Sequence, residues 1–160
     1  MSESKFKTMR HVETVRNYLD SCVKIIMERA QTHDQSKLES PEVEVFEEYT
    51  SKLRDCTYGS DEYMENLKGM KVAIDHHNGV NRHHPEHHAH GIYDMNMFDL
   101  LEMIVDWKAS GMRHNDGNIY KSIEINKKRF EMSDELAGLL VRTIEYIEEQ
   151  GRTVHKASQS

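Results

Sequence analysis

"SKFKTMRHVETVRNYLDSCVKIIMERA", residues 4–30, decides the fold class. Val12, Val15, Leu19, Cys22, Val23, Ile26 and Ala30 recur at steps of three and four, so they line one face of a helix. No glycine or proline interrupts the stretch. The same period returns downstream. Ser40-Pro41 followed by Glu42 and Glu44 reads as a helix start, with a capping hydroxyl, a first-turn proline and acids at the positive end. Val45, Phe46, Tyr49 and Leu53 carry that helix to about Cys56. Ser60 is the expected cap of a third helix, whose stripe Tyr63, Leu67, Met70 and Ile74 points on to His77. Residues 78–95 read as an irregular loop. Asn96 and Asp99 form a capping-box pattern ahead of "MFDLLEMIVDWKA". Ile119, Ile123, Asn126 and Phe130 mark a fifth helix. Ser133 starts a sixth, with Leu136, Leu140, Thr143 and Ile147 expected inside and a stop at Gly151. The expected fold is all-α: a single compact bundle of about six helices over residues 1–152, with a frayed tail at 153–160.

Composition narrows the function. A chain of 160 residues closes one core without disulfides or a structural metal. The net charge of −7 argues against binding extended nucleic acid, which needs clustered Lys and Arg, but is compatible with a small phosphorylated substrate. No window approaches the ~18 apolar residues of a membrane span, and the first residues lack an apolar signal core, so no membrane partner and a cytoplasmic location are expected. Cys22 and Cys56 read as reduced core residues, and without a C-x-x-C pair thiolate zinc sites drop out. The acidic, Met-rich helical surface is compatible with a homodimer.

The chemistry concentrates in "DHHNGVNRHHPEHHAH", residues 75–90, which holds seven of the eleven histidines. The alternative to a metal site is a solvated connector with adventitious affinity for ions. His77 continues the apolar stripe before it and should face inward. Pro85 suits the first turn of a short helix over 85–90, leaving His84 at its cap and turned inward, so His83→Ala should be milder than His84→Ala. Upstream, His33-Asp34 offers imidazole and carboxylate side by side, a mixture suited to transition ions. Its bland reading is a helix-stop histidine before a capping aspartate. His11 shares a face with the first apolar stripe, where a histidine bonded to a carbonyl is the ordinary case. Asp106 lies between Val105 and Trp107, where a carboxylate is costly unless paired or bound to a cation.

The order His11 … His33-Asp34 … Asp106 resembles the HD-domain metal-dependent phosphohydrolases. That resemblance implies that these four residues hold a divalent ion within a helical bundle. The longer string "HDQSKLESPE … YGSDEY … HHNGVNRHHPEHH … FDLLEMIVDWKA … SIEINKKRF" also resembles a small set of phage and bacterial proteins that brings no activity with it. One position departs from the HD pattern: Lys37 stands where such nucleotidases often carry a water-activating glutamate, so Glu86 or His84 would take that part. The implied function is hydrolysis of a nucleotide or similar phosphate ester, with Glu86, Lys37 and His84 as candidate catalytic residues. The implied cofactor is one or two Mn, Fe, Co, Ni or Zn ions, with Mg also allowed. His77, His84 and His88 would complete a second site or bind phosphate. Lys37, Arg82, Lys108 and Arg113 would neutralise phosphate charge, Trp107 would stack a base, and Asn126 would bond a sugar. Two alternatives remain: an HD-type di-iron oxygenase with Asp34 bridging the irons, and a non-catalytic phage protein that binds a partner in the host cytoplasm.

Overall fold

A computed structural model describes residues 2–55, 61–112 and 117–157; among them are six α-helices and no strand. The expectations for Cys56, Ser60, Arg113 and residues 158–160 lie outside these residues, as do the side chains of Leu53, Tyr63 and Leu67. The chain divides into two units, Met1–Gln35 and Ser36–Ser160.

The first unit is α1, Glu3–Thr32. Ser2 caps it, accepting from the Lys5 amide at 3.3 Å, and Lys7 pairs with Glu3 one turn away at 2.7 Å. None of its residues is buried. The helix ends at His33, and Asp34 follows in the left-handed region at φ 57°, a conformation a short polar side chain tolerates.

The second unit is built from α2 (Glu42–Asp55), α3 (Asp61–Val80), α4 (Met97–Gly111), α5 (Ile119–Arg129) and α6 (Asp134–Ala157). Helix α2 starts after Pro41, where the Glu42 and Val43 amides both donate to the Glu39 carbonyl. It packs on α3, and a Cβ at Gly69 would run into the Tyr49 ring, so the glycine permits that approach. Met70, Ala73 and His77 form the buried stripe of α3, while Ile74 is turned outward. Met70 and His77 are inside as expected, and the shift is confined to the step between them, where Ala73 takes the inward place expected of Ile74.

The segment after α3 holds two short 3₁₀ turns. Pro85–His87 has His84 as its N-cap and replaces the expected helix over 85–90; Gly91–Asp94 follows. The capping box of α4 is formed as expected. Asn96 Oδ1 accepts from the Phe98 and Asp99 amides, and Asp99 returns a bond to the Asn96 amide at 3.0 Å. Ser133 caps α6 through the Leu136 amide at 3.2 Å. That helix passes Gly151 and continues to Ala157, because a single glycine costs only about 1 kcal/mol and does not end a helix by itself.

The core sits between α4, α5 and α6. Met103, Ile104, Ile119, Ile123, Ala137, Leu140 and Ile144 are all buried there, with Ile92, Met95 and Met132 beside them. On α6 the buried face is thus 137–140–144, and Ile147, expected inside, is exposed. Both shifts of face come from which flank of an amphipathic helix meets its neighbours, a choice that periodicity leaves open by one step.

Candidate metal centre

The end of α3, the two residues before Pro85, the first turn of α2 and the middle of α4 bring a group of imidazoles and carboxylates together in the second unit. His77 and His83 are buried, with 5% and 2% of their surface exposed, and His84 is half-buried. One ring nitrogen from each lies within 4.8 Å of the others. His77 Nε2 and His84 Nε2 are only 2.9 Å apart, and the ring centres of His83 and His84 are 4.2 Å apart.

Each buried ring has a carboxylate behind it. Glu42, fully buried, meets His77 Nδ1 with Oε2 at 2.9 Å and His76 Nδ1 with Oε1 at 2.7 Å. Ser36 Oγ donates to Glu42 Oε2 at 3.1 Å. Glu102 on α4 meets His83 Nδ1 at 3.1 Å. Imidazole bonded through Nδ1 to a carboxylate presents Nε2 as its lone-pair nitrogen, the arrangement in which metal-binding histidines are commonly held. Such a cluster could hold a metal ion.

The other candidates belong to both units. His11 lies on the exposed surface of α1, and His33 and Asp34 close the first unit, 3.5 Å from each other. Asp106 is half-buried on α4, and its Oδ1 accepts from Ser110 Oγ at 3.4 Å. His88 points its Nε2 at the Arg82 carbonyl, 2.9 Å away, and His87 donates to the Gly79 carbonyl. Both bonds tie the segment down. Glu86 binds Arg129 Nη2 at 2.6 Å, joining that segment to the end of α5. Arg82 makes two bonds to the buried Asp99, at 3.0 and 3.2 Å, while half its side chain stays exposed. Lys108 pairs with Glu148. Trp107 lies parallel to Phe130 at 6.3 Å against the core, and Asn126, half-buried, accepts the Phe130 amide on its carbonyl. Lys37 is half-buried in the 3₁₀ turn before α2.

His83 departs from the expectation that His84 alone of the pair turns inward. The cap at His84 is extended, at φ −97° and ψ 129°, and in extended backbone successive side chains alternate. Here both neighbours nonetheless reach the cluster, because His83 is drawn to Glu102. Glu42, Glu102, His76, Ser36 and Asn81 were not singled out by sequence. The adjacent pair His76-His77 was the available signal, since two imidazoles at one helix end call for an acceptor.

The profile of one protein family matches residues 1–153. The chain belongs to the family of unknown function DUF5662. No curated protein and no solved structure matches it. Among the described residues of this DUF5662 member, no helix is long and apolar enough to cross a membrane.

Proposed function

We propose that this protein is a metal-dependent hydrolase of small phosphate esters, with His77, His83 and His84 holding a divalent transition ion. The observation that carries the reading is the convergence of three imidazoles, two of them buried and backed by carboxylates. This donor set suits Mn, Fe, Co, Ni or Zn better than Mg, which prefers oxygen ligands. The reaction class rests on the resemblance of the order His11 … His33-Asp34 … Asp106 to the HD phosphohydrolases, and the three histidines named here are not among the four positions of that pattern. An ion held there would supply Lewis acidity, polarising a phosphoryl oxygen and acidifying water.

The protein's own groups do the rest. Glu42 and Glu102 hold two of the rings in place. Arg82, fixed by Asp99, keeps N–H groups beyond the two bonded ones and offers a planar fork of the kind that binds phosphate. Lys37 adds a second positive charge. Glu86, engaged by Arg129, anchors the histidine segment.

The test is release of inorganic phosphate from p-nitrophenyl phosphate and from nucleoside monophosphates, with Mn²⁺, Co²⁺ or Zn²⁺ supplied. Release should require the ion and fall to background in His77→Ala. Saturation with ion but no release from any ester would overturn the reaction class while leaving the metal centre in place.

A further inference from the structure

We infer that Glu42 is a positioning residue that holds His77 as the Nδ1–H tautomer and thereby turns the Nε2 lone pair toward His84; the inference rests on the metal-centre reading above. The hydrogens of Asn81 and Ser36 decide where that of His77 lies. Glu42 Oε2 at 2.9 Å, Asn81 Nδ2 at 3.0 Å and Ser36 Oγ at 3.2 Å meet His77 Nδ1. If Nδ1 were a bare acceptor, Asn81 or Ser36 would have to donate to it. Asn81 has two amide hydrogens, and both have better acceptors, Ser36 Oγ at 2.8 Å and the His77 carbonyl at 2.8 Å. Ser36 has one hydroxyl hydrogen, and Glu42 Oε2 at 3.1 Å is the nearer acceptor and a carboxylate. Neither Asn81 nor Ser36 has a hydrogen left for Nδ1 to accept. A lone pair there would also face the carboxylate at 2.9 Å, which is repulsive. The hydrogen therefore sits on Nδ1 and is donated to Glu42.

The far oxygen of Glu42 is engaged as well, by His76 Nδ1 at 2.7 Å, so the carboxylate is held at both ends. Its place in the first turn of α2 adds the favourable end of the helix dipole. In the neutral ring with Nδ1 protonated, Nε2 is the acceptor nitrogen, and it lies 2.9 Å from His84 Nε2. The ring thus presents the nitrogen that a divalent ion would take.

Two measurements test this. The first is long-range ¹H–¹⁵N correlation spectroscopy of the imidazoles in ion-free protein. Wild type should show His77 protonated at Nδ1; Glu42→Gln, whose amide oxygen can accept the same bond, should keep that tautomer; Glu42→Ala should lose it. The second is affinity for Co²⁺ by chelator competition. Glu42→Ala should bind about 10–100-fold more weakly, with Glu42→Gln recovering most of the loss. His77 protonated at Nε2 in wild type, or a folded Glu42→Ala that binds Co²⁺ as tightly as wild type, would overturn the inference. Should Glu42→Ala fail to fold, the wild-type tautomer and the Glu42→Gln affinity decide it. If wild type binds no Co²⁺, the metal-centre reading falls, and the tautomer spectrum still decides the role of Glu42.

Discussion

His83 is the more deeply buried of the neighbouring pair, with Glu102 at 3.1 Å from its Nδ1, whereas His84 keeps part of its surface in water. Removing His83 should therefore weaken Zn²⁺ or Co²⁺ binding at least as much as removing His84. Chelator competition on the two alanine variants measures this, and a clearly milder His83→Ala would return the site to His77 and His84 alone. Glu42→Ala also leaves the donors of His76, His77 and Ser36 without their acceptor, and should cost about 1–3 kcal/mol in a denaturant titration. The inward place of His77 was legible because it continues a helical stripe. Glu42 was not. A glutamate in a first helical turn has a sufficient local reason to be there, and only tertiary packing brings α3 against it. Glu102 was hidden for the same reason, inside a helix whose apolar residues drew attention to Asp106.

Local rules held best for the elements, at their ends. Asn96, Asp99 and Ser133 cap as their spacing implies, since capping depends on residues within one turn. Asn96→Ala should lower stability by about 0.5–2 kcal/mol, read from the denaturation midpoint. The join between α5 and α6 was harder to see. The Met132 amide donates to the Lys127 carbonyl at 2.9 Å, closing a Schellman turn with Glu131 at φ 52°, where glycine is the usual occupant. Glu131→Gly should raise stability by about 1 kcal/mol, and the Tyr93 hydroxyl bond to the residue 131 carbonyl survives the change because it uses only backbone. An unchanged or lowered thermal midpoint would contradict this. At the start of α6, Lys127 bonds Asp134 and holds its carboxyl below the ordinary value of 3.8. A depressed carboxyl contributes above its unfolded value and loses that contribution as pH falls through the folded one. Asp134→Asn should thus lower the thermal midpoint slightly at neutral pH, and the gap should close in acid. Buried faces were the least legible part of the elements. On α3 and α6 the apolar stripes were right to within one step, and the step was settled by neighbours.

For the whole molecule, the all-helical class followed from period and from the near absence of proline, and it is what the chain forms. An apolar stripe such as that of α1 marks a face without naming what lies against it. An ion that binds only the folded state stabilises by mass action, about 2.7 kcal/mol at one hundred times Kd. Added Co²⁺ or Zn²⁺ should therefore raise the thermal midpoint of wild type and leave that of His77→Ala nearly unmoved. The most direct test of the metal centre is elemental analysis of protein prepared without an affinity tag, dialysed against Mn²⁺, Fe²⁺, Co²⁺ or Zn²⁺ and freed of loose ion, alongside the double variant His77→Ala, His84→Ala. About one ion or more per chain in wild type, and a full ion fewer in the variant, is the predicted result. Equal ion content in the two, or none in either, would contradict the account.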